Sequence, residues 1–266
     1  MMDNSPYILE ESNDYAVVYK PCCMHSVRKI ENDNNLYDWY KEKSQNVFDI
    51  MHRLDYETQG LVLFARNEKA YNFFKNLQDN GNFIKEYSAV CVRADKQQGQ
   101  GFPPCPLVSD FPLSEFQADG VKHIDENLVI ESFFRPFGPG RKQVRPVTED
   151  GKKHKEAAKD KGSFYKTYIT GVSAINPPDT GTINDIKVSL IPCIKNYIFT
   201  VQIKRGFRHQ IRCHLAWIGF PIKGDPLYSQ SEHELLALRS HALFFTDPSS
   251  GQKRECGIEP LAKPLF

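Results

Sequence analysis

No stretch of the sequence approaches the roughly 20 consecutive apolar residues that a membrane-spanning helix requires. The segment Met1 to Lys20 carries acidic and alternating polar positions in place of a basic segment followed by an apolar run, so no secretory leader is expected and a cytoplasmic location is. Cysteine is present but unpatterned: the seven residues are odd in number, with no CxxC pair and none of the spacings of a disulfide framework or zinc finger. The thiols are therefore read as reduced. Cys22, Cys23 and His25 lie close together, and His209 could share a helix face with Cys213, yet each set falls short of a full ligand shell and no metal is expected. A strong basic excess is missing too. Lys and Arg number 34 against 33 Asp and Glu, a formal net charge of +1, so the total gives no support to nucleic-acid binding. The distribution is more informative, because the stretches Arg135 to Lys166 and Lys204 to Lys223 are locally basic while acids crowd the N-terminal portion. Such runs are most often solvated faces. Solenoid repeats and long low-complexity tracts are also missing.

What is there describes an ordinary folded protein. Hydrophobic residues make up 40% and charged residues 25% of a 266-residue chain, enough to bury one large core, and a single domain over 1–266 is expected. Tyr15-Ala-Val-Val-Tyr-Lys20 predicts a strand that Pro21 ends, and a helix is expected from Leu36 to Lys43. The segment Val47 to Leu54 leads through Tyr56, Glu57, Thr58 and Gln59 to Gly60. Leu61 to Ala65 then forms an apolar run suited to a buried strand, which leaves Asp55 at a turn between extended segments. Asn67 can cap a helix in which Ala70, Phe73, Phe74 and Leu77 share one face and Gly81 marks the stop. Phe83 to Val92 alternates as a strand with Lys85 and Tyr87 on one face.

From about 95 to 163 the chain turns to Gln, Gly, Pro and charge, with Gly99-Gln-Gly101, Pro103-Pro104 and Gly138-Pro-Gly140 as turn signals. This segment is read as an irregular basic insertion of loops and short strands. Strands are expected again at Tyr165 to Thr170, Ile186 to Leu190 and Tyr197 to Ile203. An amphipathic helix is expected from Arg208 to Ile218, with Ile211, Leu215 and Ile218 on its apolar face and Gly219 at its end; Arg208 and Arg212, four apart, would share a face. Strands not regularly separated by crossover helices imply an α/β fold of the α+β type, its central sheet largely antiparallel and flanked by helices and loops.

Two motifs carry chemistry. His52-Arg53-Leu54-Asp55, followed by Thr58 and Gly60-Leu61-Val62, resembles the signature of the RluA family of pseudouridine synthases. Gly206-Phe-Arg-His-Gln-Ile-Arg212, then His214-Leu215-Ala216, Gly219 and Gly224-Asp-Pro-Leu-Tyr228, resembles the family's later signature. Between them Lys85-Glu-Tyr87 is similar to its Lys-x-Tyr strand, and Leu238-Arg-Ser-His241 with Asp247-Pro248 to its C-terminal strand. The resemblance runs from about Tyr7 to Pro260 and leaves the middle poorly matched. It implies a single catalytic domain that isomerises uridine in structured RNA, ribosomal or transfer, with no cofactor. Carried over residue by residue, it makes Asp55 the nucleophile, Arg53 the side chain that fills the gap left by a flipped nucleotide, and Tyr87 the platform for uracil. Ile211 would pack beneath the base, Arg212 would pair with Asp55, and His52, Arg208 and His209 would contact RNA.

The chemistry makes independent sense of these roles. A carboxylate that attacks carbon must be ionised, and a neighbouring guanidinium should lower its pKa and fix its orientation. A detached base must be kept from water, which suits a ring and an apolar floor. Taken singly, Arg53 and Asp55 would be a surface ion pair, Tyr87 a core or edge tyrosine, and Arg208 with Arg212 a solvated face. Their occurrence together in family order favours the catalytic reading. Two positions depart from the family: Phe207 stands where Arg is usual, and Gln59 where Ser is usual. The small N-terminal RNA-binding domain common in the family is not expected before Tyr7, and a monomer is. Rival readings are a glycoside or nucleoside hydrolase, which wants a second carboxylate beside Asp55, and a non-catalytic RNA-binding protein of the same fold.

Overall fold

The computed structural model describes residues 5–31, 33–94, 102–103, 105, 122–148, 164–175, 196–229 and 234–261. Its strands are β1 (Tyr7–Glu11), β2 (Tyr15–Lys20), β3 (Asp49–Ile50), β4 (Gln59–Ala65), β5 (Ile84–Val92), β6 (Lys122–Phe137), β7 (Gln143–Val147), β8 (Tyr165–Ile175), β9 (Asn196–Ile203), β10 (Leu238–Thr246) and β11 (Lys253–Gly257). Helices α1 (Leu36–Lys43), α2 (Glu68–Asp79) and α3 (Gln210–Trp217) complete the described elements. One sheet runs β1, β2, β4, β10, β5, β9, β8, β6, β7, with β3 added to β4 and β11 to β10. Among the described residues only β10 with β4 is parallel. The expected mixed fold with a mostly antiparallel sheet is therefore present.

The continuous apolar run in β4 follows from burial on both sides. Side chains alternate across a strand, and here Val62 and Phe64 join one core with Ala16 and Val18, while Leu61, Leu63 and Ala65 join another with Tyr15 and Val17. Leu36 and Tyr40 of α1 cover the first face; Ala70 and Phe74 of α2 cover the second. Asn67 caps α2 by accepting a 2.8 Å hydrogen bond from the Ala70 N–H. Phe74 meets Tyr15 and Phe245 edge-on, and truncating such a buried ring costs about 3–5 kcal/mol.

The middle segment and the last helix differ from expectation. The segment read as loops with short strands contains β6, a 16-residue strand. It gains its length from having two partners, β8 along its first part and β7 along Phe133–Phe137, and the Gly138-Pro-Gly140 signal turns it into β7. The last helix begins at Gln210 and not Arg208, because His209 has a left-handed backbone (φ 56°) that interrupts it, and α3 is buried all round instead of amphipathic. Arg208 and Arg212 consequently share no helical face. The expected strand at Ile186 to Leu190 lies outside the described residues, as does most of 95–121 and 149–163.

Candidate active site

Between β3 and β4 the chain leaves the sheet, and Asp55 sits at the tip of that excursion. Three side chains from the end of β2 and the segment after it fasten it. The Ser26 hydroxyl donates to the Leu54 carbonyl at 2.9 Å and accepts from the Leu54 N–H at 3.0 Å. Lys20, fully buried, donates from Nζ to the carbonyls of Met24, Pro21 and Tyr56 at 2.7, 3.0 and 3.3 Å. The Cys22 thiol reaches the Glu57 carbonyl, and the Thr58 N–H closes the turn on the Asp55 carbonyl at 3.1 Å. Burial lowers the Lys20 pKa to about 8, the cost of placing an ammonium where only carbonyl dipoles solvate it.

Beyond the turn, the strand must pass close to β10. Gly60 pairs with Ser240 at φ +126°, and a Cβ on it would lie 2.2 Å from the Ser240 carbonyl oxygen, so only glycine fits. The same logic holds at Gly224 (φ +73°), where a Cβ would meet the Leu235 carbonyl oxygen at 2.2 Å. Gly224 delivers Asp225 into the interior.

Arg212, 1% exposed, forks onto Asp225, itself 0% exposed, with Nε and Nη2 donating to Oδ2 and Oδ1 at 2.8 and 2.9 Å. Asp225 Oδ1 also accepts from the Leu227 and Tyr228 N–H groups. Nη1 of Arg212 is left for the excursion: it lies 3.2 Å from Glu57 Oε2 and 3.6 Å from Asp55 Oδ2. The expected Arg212–Asp55 pair is thus a secondary contact of a guanidinium whose main partner is Asp225. The expected lowering of the Asp55 pKa does not follow. Burial raises it, Arg212 and the His209 N–H pull it down, Asp225 pushes it up, and the net direction is upward. The side chain keeps a quarter of its surface open and lines the cleft.

The cleft has a volume of about 1120 Å³, ample beside the roughly 300–1,000 Å³ of a small-molecule pocket. Tyr87, Ile211 and Leu238 give it an apolar floor, and Lys29, Arg53, Lys142, Lys204, Arg205 and Arg208 put cations on its walls. Tyr87 comes from β5, where it faces Ser240 on one side and Val201 on the other. Of the expected site residues, Asp55, Arg53, Tyr87, Ile211 and Arg212 all line this one cleft. Arg53 is exposed at its rim.

The three expected RNA contacts line it too but are differently engaged. His52 accepts the Leu63 N–H at Nε2 (3.2 Å) and packs edge-on to Phe83; burial holds its pKa well below the ordinary value, so the ring is neutral. Arg208 donates to the Arg141 and Gln143 carbonyls at 2.8 and 3.2 Å. His209 places Nε2 4.0 Å from Asp55 Oδ2, and burial with two neighbouring arginines lowers its pKa to about 4. Asp225, Glu57, Lys20 and Ser26 were not singled out from the sequence. Asp225 had a signal, since it lies inside the Gly224–Tyr228 motif; the others had none. The Cys22 and Cys23 sulfurs lie 3.4 Å apart, while His25 faces Asp33 and Tyr56.

A family model described as RNA pseudouridylate synthase matches residues 14–217. The chain belongs to that family. An uncharacterised RNA pseudouridine synthase of Bacillus subtilis, YjbO, is 25% identical over 91% of this chain and 68% of its own length. The dual-specificity RNA pseudouridine synthase RluA of Vibrio parahaemolyticus is 25% identical over 97% and 86%. Among solved structures, human RNA pseudouridylate synthase domain containing 1 superposes with a TM-score of 0.60 at 17% identity, covering 96% of this chain and 84% of that one, a likeness of fold. This pseudouridine synthase is accordingly an isomerase that acts on uridine in RNA, and it falls with the RluA-type enzymes.

The two departures from the RluA pattern have local explanations. Phe207 stacks on Phe134 (5.1 Å, 9° between planes) and packs against Tyr165, so its ring is held in an aromatic cluster. Gln59 accepts from the Tyr19 hydroxyl at 2.7 Å and Arg239 Nη2 at 3.2 Å, tying β2, β4 and β10 together.

Proposed function

We propose that Asp55 is the nucleophile for the conversion of a specific uridine to pseudouridine in structured RNA, ribosomal or transfer. The reaction breaks the N1–C1′ bond, turns the uracil, joins C5 to C1′ and releases the C5 proton, with no net redox change and no cofactor. The observation that carries this reading is the position of Asp55, on a fastened turn and lining the same cleft as Tyr87 and Ile211. Arg53 at the rim fills the stack vacated by the flipped nucleotide, at least partly offsetting an extrusion cost of a few kcal/mol. Tyr87 stacks on the uracil and Ile211 closes its underside. Arg212 orients Asp55 and supports its ionised form against burial. Lys and Arg on the walls meet phosphates, which makes affinity fall with salt. His209, neutral at pH 7, and Arg208 contact the RNA near Asp55, and the chain acts as a monomer on cytoplasmic RNA.

One observation favours a second reading. Glu57 shares Arg212 Nη1 with Asp55, and a glycoside hydrolase works with a pair of carboxyl groups in one cleft. Tritium release from RNA labelled with [5-³H]uridine separates the readings. Wild-type protein should release tritium and Asp55→Asn should not; release of free uracil in place of tritiated water would support hydrolysis.

A further inference from the structure

The cleft carries an aromatic pair that the reaction as described does not use. Tyr56 follows Asp55 directly, is 41% exposed, and lays its ring against His25 with centroids 4.6 Å apart at 44°. Both residues line the cleft, beside Lys29 and Arg53. An exposed tyrosine on a surface loop usually explores many orientations, but this one is fixed at both supports. Its backbone carbonyl accepts from the buried Lys20 ammonium, and His25 is bonded into the start of α1, where its carbonyl accepts from the Leu36 N–H at 2.9 Å. The imidazole is braced from behind by Asp33, 3.9 Å from Nε2. The result is a preorganised, partly exposed tyrosine ring, supported by a tilted imidazole, one residue from the proposed nucleophile and with cations lining the same cleft.

Such a surface suits a nucleobase. Every base has a π-face, and stacking on an aromatic ring next to a basic wall is how proteins hold unpaired nucleotides. Flipping a uridine into the cleft leaves its neighbour without a stacking partner on that side. We propose that Tyr56, backed by His25, is a stacking platform for a nucleotide adjacent to the flipped uridine. The inference rests on the isomerase reading and extends it to the flanking sequence.

The test compares wild type with Tyr56→Ala, Tyr56→Phe and Tyr56→Trp in two assays on ribosomal and transfer RNA labelled with [5-³H]uridine. Tritium release gives kcat and KM; filter binding of the same RNA gives affinity without turnover. Stacking predicts that Tyr56→Ala raises KM and weakens binding by about tenfold with kcat changed far less, and that Phe and Trp restore both. The ring is exposed, so the Ala variant should melt within a few degrees of wild type. Equal KM and affinity in Tyr56→Ala and wild type would overturn the platform. So would a loss in Tyr56→Phe as large as that in Tyr56→Ala, which would assign the role to the hydroxyl. If wild type releases no tritium, the isomerase reading fails, and the binding arm still decides whether Tyr56 stacks RNA.

Discussion

Arg212 holds Asp225 through two nitrogens, at 2.8 and 2.9 Å, and turns the third toward Glu57 at 3.2 Å and Asp55 at 3.6 Å. Asp225, 170 positions from Asp55 in sequence, thus locks the guanidinium that faces the Asp55 carboxylate. Removing Asp225 leaves a fully buried cation without its main partner. Asp225→Asn should destabilise the fold by about 3–5 kcal/mol, read by urea denaturation, and lower kcat in whatever fraction stays folded. Stability within 1 kcal/mol of wild type, about the scatter between ordinary surface variants, would mean that the fork contributes little.

Burial raises the Asp55 pKa above its ordinary value of 3.8. The unfolded chain ionises this group at lower pH, so the folded state is penalised progressively as pH climbs past the unfolded value and bears the full penalty above the folded pKa. Asp55→Asn carries no such penalty. The Asn variant should melt higher than wild type at pH 7 while being inactive, and the gap should close below the ordinary value. For activity the trend with pH is the opposite: the ionised form attacks, so kcat/KM should fall on acidification, with a midpoint above 3.8. A midpoint below it would show that Arg212 outweighs burial.

Gly60 runs beside Ser240 with no room for a side chain. Gly60→Ala combines a backbone conformation that costs about 1–3 kcal/mol with a steric clash, and should destabilise by more than about 2 kcal/mol. Chemical denaturation at neutral pH reads this directly. A near-neutral Ala variant would contradict the close approach of β4 and β10.

Lys20 spends its ammonium on three carbonyls, one of them that of Tyr56 beside Asp55. Lys20→Met keeps the volume and drops the bonds. Unsatisfied buried acceptors cost about 1–3 kcal/mol each, so the cheapest relaxation is a shift of the turn. The expected outcome is a folded protein with kcat reduced at least tenfold, because a small misplacement of a reacting group is costly in rate. Unchanged kcat at full occupancy of the folded state would show that Ser26 and Cys22 hold the turn without it.

Local features of the fold were legible from the sequence where local chemistry decides them. β2 and α1 lie where the alternation and spacing placed them, and Asn67 caps α2 as its position before a periodic apolar face requires. The length of β6 was not legible, because a strand with Pro, Arg and Glu in it is stabilised by two neighbours far apart in sequence. Nor was the start of α3: the motif Arg208-His209-Gln210 has helical propensity, and the left-handed His209, placed with its Nε2 4.0 Å from Asp55, overrides it. The cleft residues Asp55, Arg53, Ile211 and Arg212 were accessible through two motifs, and Tyr87 through the Lys85-Glu-Tyr87 strand between them. Lys20 and Ser26, which hold the Asp55 turn, act through backbone carbonyls and hydrogen bonds that no spacing encodes.

We propose above that this cleft isomerises uridine through Asp55 without losing the base. Nucleoside composition of ribosomal and transfer RNA after incubation tests it most directly, with free uracil measured in the same sample. Wild type should convert uridine to pseudouridine one for one with no free uracil, and Asp55→Asn should leave the RNA unchanged. Free uracil without pseudouridine, or pseudouridine formed equally by Asp55→Asn, would contradict the account.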